Sequence, residues 1–351
     1  MTKIRARGED VRLFIINNVE EHAADISKMT ASKFGITRQA VNKHLQKLTS
    51  EGCLAETGQT RNRVYKLAAL SEWTKIYPIV AGLAEDLVWT DDIKAVIGKL
   101  PDNVLNIWHY GFTEMFNNAI DHSGGTSILV HIRKTAAATE MLLSDDGVGI
   151  FKKIQTAMNL LDERHAILEL SKGKLTTDPK NHSGEGIFFT SRLFDSFNIT
   201  SGEVYFSHEF HEDEDWVMQS HRPRNGTSVW MRLNNHTSRT DKKIFDQYVS
   251  GDDYGFTKTV VPVRLAQYGN DKLISRSQAK RVLARVEQFK TVVFDFGEVN
   301  SIGQAFADEI FRVFKLVHPE IELVAIRANS EVKRMIARAT SVENHGLSAE
   351  S

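Results

Sequence analysis

The chain has 351 residues, 41% hydrophobic and 25% charged, ordinary for a soluble globular protein and long enough for two or three separate cores. Its one cysteine, Cys53, excludes an internal disulfide and any multi-cysteine metal site. With no run of about 18 apolar residues, and no apolar stretch in the opening MTKIRARGED, a cytoplasmic protein without membrane contact is expected.

The net charge of -1 hides an asymmetry, because residues 1–70 carry 12 Lys/Arg against 7 Asp/Glu. A basic end of this kind suits nucleic acid. Within it, VRLFIINNVEEH and DISKMTASKFG have helical spacing, the second with Asp25 at its start and Gly35 at its stop. Thr37 then caps a third helix whose apolar face is Val41, Leu45 and Leu48. After Gly52, CLAETGQTRNRVYKL reads as a β-hairpin with Arg61 and Arg63 near its tip. The unit resembles a winged helix-turn-helix domain, which implies that helix 38–50 enters the major groove of double-stranded DNA and the hairpin touches phosphate. Arg38, Gln39, Asn42 and Lys43 are the right chemical types for base edges. A protein-binding winged helix with a solvated basic face is the alternative.

Residues 71–102 read as a helical connector. Beyond it, VLNIWHYGFTEMFNNAIDHSGG repeats apolar residues at helical spacing and ends at Gly124-Gly125. Glu114 and Asn118 lie one turn apart and share a face. Two apolar strands follow, SILVHIRK and EMLLSDDGVGI.

These pieces resemble, in order, the motifs of GHKL ATPases, which have the Bergerat fold. Glu114 to His122 is similar to the N box, Asp145-Asp-Gly147-Val-Gly149 to the G1 box, His182-Ser-Gly184-Glu-Gly186 to the G2 box, and Asn225-Gly226-Thr227 to the last Gly-Thr box. The resemblance implies ATP and Mg²⁺ as ligands. Asn118 would ligate the magnesium, Glu114 would polarise the attacking oxygen as catalytic residue, and Asp145 would accept from the adenine amino group. Asp121, Gly147, Gly149, Gly184, Gly186 and Thr227 complete the implied ATP site. Residues 151–182 stand where the family has its ATP lid, and Lys172, Lys174 and Lys180 within it read as solvated charges. The acidic stretch Glu212 to Asp215 reads as a solvated hairpin tip.

Only about 35 residues separate the hairpin from the N-box helix, too few for the dimerising phospho-acceptor hairpin of a sensor histidine kinase. The comparison that fits better is with anti-sigma-factor serine kinases and GHKL ATPases generally.

A polar stretch from Asn234 to Thr240 reads as a linker. Beyond it strands alternate with helices: TVVPVRLA, SRSQAKRVLARVEQF, TVVFDFGEV, GQAFADEIFRVFKL, IELVAIRA and SEVKRMIARA. This resembles a STAS-like domain of the kind related to anti-sigma-factor antagonists. Where those carry the phospho-acceptor serine, this chain has Ala305, so a docking or dimerisation module is implied instead.

The fold expected is therefore a multi-domain α+β chain: a winged helix over 1–70, the connector over 71–102, a Bergerat α/β sandwich over 103–236 and a small STAS-like α/β domain over 241–345. The function expected is a DNA-binding transcriptional regulator controlled by ATP binding or slow hydrolysis. The alternatives are a serine/threonine kinase acting on a separate partner and an ATP-responsive defence or assembly protein. Double-stranded DNA, a protein held by the STAS-like domain and a second copy of the chain are the partners weighed.

Overall fold

The architecture follows from where the apolar stripes end. A computed structural model describes residues 2–59, 62–176, 183–212, 215–250, 255–267 and 272–341. Among the described residues it is a mixed α/β chain with three sheets, and the core residues fall into two clusters.

The first cluster belongs to the N-terminal unit. Helices α1 (Thr2–Asn18), α2 (Ile26–Phe34) and α3 (Arg38–Ser50) bury Val11, Ile15, Ile26, Val41, Leu45 and Leu48 against one another. The hydroxyl of Thr37 accepts from the amide of Ala40 at 3.2 Å, the expected cap, and Gly35 closes α2 in the left-handed region at φ 61°. Strands β1 (Leu54–Thr57) and β2 (Val64–Leu67) pair antiparallel and cover the helices with Leu54, Tyr65 and Leu67.

Residues 71–102 are not a wholly helical connector. β3 (Ser71–Pro78) pairs along its whole length with β4 (Ser127–Lys134) as the edge of the central sheet. Sequence reasoning missed it because SEWTKIYP buries only Tyr77 and so lacks the alternation that marks a half-buried strand. Only α4 (Glu85–Val88), a π turn and α5 (Lys94–Ile97) are helical in this stretch.

The central sheet is antiparallel throughout, in the order β3-β4-β5-β7-β6, with β5 at Ala138–Asp145, β6 at Ser196–Glu209 and β7 at Trp216–Asn234. Ile128, Val130 and Ile132 alternate along β4, are fully buried, and define the covered face. Helices α6 (Asp102–His122), α7 (Ile150–Met158), α8 (Arg164–Lys172) and α9 (Gly186–Leu193) follow in chain order, and α6, α7 and α9 pack on this sheet. α6 contributes Trp108, Phe112 and Phe116 at intervals of four, and Gly111 on it leaves space for the ring of Phe194, which an added Cβ would meet at 2.4 Å.

The third unit is a parallel sheet ordered β10-β9-β8, with β8 at Lys258–Pro262, β9 at Thr291–Asp295 and β10 at Glu322–Ile326. All five residues of the central strand β9 are buried, as a parallel strand covered on both faces requires. The stretch between 234 and 240 is built into the fold rather than linking two bodies. Asn235 and Arg239 are buried, and the Arg239 guanidinium meets the Asp195 carboxylate at 2.8 Å. After α10 (Asp241–Phe245), the core runs on without a break, as Phe256 contacts Phe188 at a ring separation of 4.5 Å and Phe289 at 5.1 Å.

Ser275 and Gln278 form a capping box at the start of α11 (Arg276–Leu283). The helix stops at Leu283, although the sequence pattern runs on to Phe289: Ala284 leaves the helical region at ψ 127°, and Arg285 follows in the left-handed region at φ 65°. The rest of the unit comprises α12 (Gln304–Asp308), a π turn, α13 (Lys315–Val317) and α14 (Ser330–Ser341). Among the described residues no helix is long and apolar enough to cross a membrane.

Candidate functional site

A cavity of about 280 Å³ opens between α6, α7 and the central sheet. Glu114 and Asn118 project into it from α6, Asp145 from the end of β5, Gly184 and Gly186 from the start of α9, and Thr227 from β7. Residues separated by more than a hundred positions thus line one hollow.

Its floor is held by backbone contacts at glycines. The Asp145 Oδ1 atom accepts from the amides of Gly147 at 2.9 Å and Thr227 at 3.2 Å, so both amides fall on one carboxylate oxygen. Burial raises the Asp145 carboxyl above the usual carboxylate range, and the two amides oppose that rise. Thr227 also accepts through Oγ1 from the amide of Ile150 at 3.0 Å, tying the first turn of α7 to the same strand. Gly149 stands just before that turn at φ 95°, where an L side chain is strained and a Cβ would lie 2.6 Å from Ser201 Oγ.

The start of α9 presses on Glu114, and a Cβ on Gly186 would stand 2.0 Å from Glu114 Oε2. Burial and the nearby carboxylates of Glu114 and Glu185 push the Tyr110 phenol well above its ordinary range. Asp121 is exposed and stands outside the cavity lining, so the structure does not bring it to the other site residues. His182 and Lys180 lie outside the described residues.

Several contributors to the lining were missed by sequence reasoning, Lys153, Leu175 and Thr176 among them. Lys153, on α7, donates from Nζ to the carbonyl of His122 at 2.6 Å, and both residues border the cavity. Leu175 and Thr176 reach it from the segment after α8. Lys153 stands three residues after Ile150 on α7, so the two share a face, and both border the cavity.

Of the lysines after α7, Lys172 and Lys174 are not plain solvated charges. Lys172 is fully buried and donates to Glu169 Oε1 at 2.8 Å, while burial pushes its ammonium below the usual lysine range. Asp215 is likewise no solvated tip, for its carboxylate holds the His208 ring at 2.6 Å, which lowers its pKa against the effect of burial.

On the N-terminal unit, Arg38, Gln39, Asn42 and Lys43 are all exposed on one end of α3. Asn42 Oδ1 accepts from Ser27 Oγ at 3.3 Å, so one end of its amide is already engaged. Arg63 is half-buried and faces Glu56 at 3.4 Å, which leaves its charge partly neutralised. Arg61 lies outside the described residues.

Residues 278–333 match the model of a STAS-like domain of unknown function (DUF4325). The match spans α11 to α14 of the STAS-like unit and omits β8, which nevertheless pairs with β9. In this unit Ala305 is exposed in the first turn of α12, with no hydroxyl at the position considered for phosphate transfer. No curated protein matches the chain.

Proposed function

We propose that the chain is an ATP-binding, DNA-binding transcriptional regulator, in which a Bergerat-type GHKL unit controls a winged helix-turn-helix unit over residues 1–70. The observation that carries this reading is the gathering of Glu114, Asn118, Asp145, Gly184, Gly186 and Thr227 around one cavity. The central sheet with its covering helices, and the three helices with their antiparallel hairpin, support the reading.

The lining fits a nucleotide. Asp145 gathers two backbone amides and the Thr227 side chain and is the carboxylate that would receive the exocyclic amine of adenine, and Gly184 and Gly186 bring the start of α9, where a helix start favours anions, to the cavity. Asn118 is the residue that would hold Mg²⁺, and the ion would supply charge neutralisation between phosphate oxygens. Glu114, one turn away, then takes the proton of the attacking oxygen in any turnover.

Contact between the units gives nucleotide state a route to DNA. Ala137 and Ala138, at the β4–β5 turn, belong to the core of the N-terminal unit, and β5 runs from that turn to Asp145. Arg232 on β7 pairs with Glu20 at 2.9 Å beside this contact. Nucleotide shifts DNA affinity to the extent that it binds the arrangements of these units unequally.

Calorimetry with ATP, with and without Mg²⁺, tests the first half of this reading. Pull-down and sequencing of genomic DNA in both conditions tests the second. Absence of ATP binding, or a DNA profile identical with and without Mg-ATP, refutes the respective half.

A further inference from the structure

Glu169, Lys172 and Arg285 form a charged network shut between the central unit and the STAS-like unit. Lys172 is 0% exposed and Glu169 3%. Lys172 Nζ donates to Glu169 Oε1 at 2.8 Å and to the carbonyls of Arg281 and Ala284, both at 2.9 Å. Arg285 takes the other carboxylate oxygen at 3.0 Å. The one carboxylate is shared by both cations, one on each oxygen, and each ammonium proton of Lys172 has an acceptor, the kind of satisfaction under which buried ions persist.

The guanidinium of Arg285 does more than neutralise. It also donates to the carbonyl of Gly173 at 3.0 Å and to that of Lys174. Those residues immediately precede Leu175 and Thr176, which line the cavity. Lys174 returns a hydrogen bond from Nζ to the carbonyl of Gln288 at 3.1 Å and lies over the Phe289 ring, 4.7 Å from its centre. Leu175 in turn donates its amide to the carbonyl of Gly184, at the other wall, at 3.0 Å. Arg285 holds these contacts from the left-handed region at φ 65°, a conformation that costs free energy in a residue with a Cβ and persists where the surroundings impose it.

We propose that Arg285 is a positioning residue for the nucleotide pocket: through the carbonyls of Gly173 and Lys174 it sets the place of Leu175 and Thr176, so that the STAS-like unit governs how firmly the nucleotide is held. This rests on the ATP reading of the cavity. By linkage, nucleotide that orders Leu175 and Thr176 tightens the joint between the units, and a partner that draws the turn after α11 away loosens the nucleotide by the same factor.

Hydrogen exchange of the full chain tests it, comparing the parent with Arg285→Asn, whose side chain tolerates the left-handed region but cannot reach the carbonyls. Amides over 170–176 are expected to exchange about tenfold or more faster in Arg285→Asn, with α1, α3 and β4 unchanged. Dissociation of a fluorescent ATP analogue is expected to speed up by a similar factor, and Arg285→Lys, which keeps the pair with Glu169, is expected to fall between. Exchange over 170–176 that is unaltered, or that rises equally in every segment, overturns the positioning role. A parent that holds no ATP analogue refutes the ATP reading, while the exchange comparison still decides whether Arg285 places this segment. If Arg285→Asn does not fold, Arg285→Lys carries the same comparison.

Discussion

Gly186 lies so close to Glu114 that a single methyl group on the glycine would stand 2.0 Å from the glutamate's Oε2. The clash falls on the end of a flexible side chain, so Gly186→Ala displaces the carboxylate rather than the helix. Folding stability is expected to change by less than about 1 kcal/mol, read by thermal melting. ATP turnover, measured in a single-turnover assay, is expected to fall by roughly 10²- to 10⁴-fold, as in Glu114→Ala. A Gly186→Ala protein with parental turnover would show that Glu114 takes no part in chemistry.

Asp145→Ala removes the acceptor proposed for the adenine amine and frees the Gly147 and Thr227 amides. ATP affinity is expected to drop by about 10- to 100-fold, corresponding to the roughly 1 to 3 kcal/mol of an unmet hydrogen bond. Because burial raises the carboxyl above its ordinary 3.8, the acceptor is lost to protonation at a higher pH than for an exposed aspartate. ATP affinity measured by calorimetry should therefore weaken on acidification before exposed carboxylates titrate, and this dependence should vanish in Asp145→Asn.

Glu169→Ala strands the Lys172 ammonium in a dry interface. Denaturant unfolding is expected to show a loss of about 3 to 5 kcal/mol, the usual cost of leaving one partner of a buried pair. The double substitution Glu169→Leu with Lys172→Met removes the two most deeply buried charges, leaves the partly exposed Arg285 guanidinium on the carbonyls of Gly173 and Lys174, and should recover part of that loss. Equal losses in the single and double variants would mean that packing, not charge, sets the cost.

His165 on α8 is 4% exposed, and burial holds its ring below the ordinary 6.5, with Asp162 at 3.4 Å opposing the shift. A histidine whose folded pKa is depressed lends stability above its unfolded pKa and withdraws it as pH falls through the folded value. Melting temperature should therefore decline as the buffer is taken below about 6.5. His165→Gln is expected to flatten that decline, and an unaltered profile would assign it to other groups.

Arg38→Ala with Lys43→Ala should lower affinity for duplex DNA across all sequences and reduce the log-log salt slope by roughly one unit for each phosphate no longer neutralised. Asn42→Ala should instead relax preference at one base pair, at about 1 to 3 kcal/mol. Arg63→Ala is expected to have a smaller effect on the salt slope than either basic residue of α3, since Glu56 already offsets its charge. DNA binding that is unchanged by all four substitutions would remove α3 from the nucleic-acid interface.

Local chemistry was legible without coordinates wherever neighbours in sequence decide it. Thr37 caps α3 through the amide three residues on, Gly35 closes α2 because only a residue without a Cβ turns left at no cost, and Val41, Leu45 and Leu48 share a face by helical geometry alone. The five buried residues of β9 and the match over 278–333 likewise follow from pattern. Glu114 and Asn118 were bound to face one way, being one turn apart. What only the tertiary structure decided are relationships between residues distant in the chain. SEWTKIYP is a strand because β4 offers it a free edge, not because its own pattern demands one. The helix of Arg276–Leu283 ends sooner than its pattern suggests, at Ala284, and the next residue, Arg285, sends its guanidinium to Glu169 and to two backbone carbonyls more than a hundred positions away. Lys172 reads as a solvated charge by composition and is buried in fact, since an ammonium can leave water only where every hydrogen bond it gives up is replaced, here by Glu169 on its own helix and by the distant carbonyls of Arg281 and Ala284.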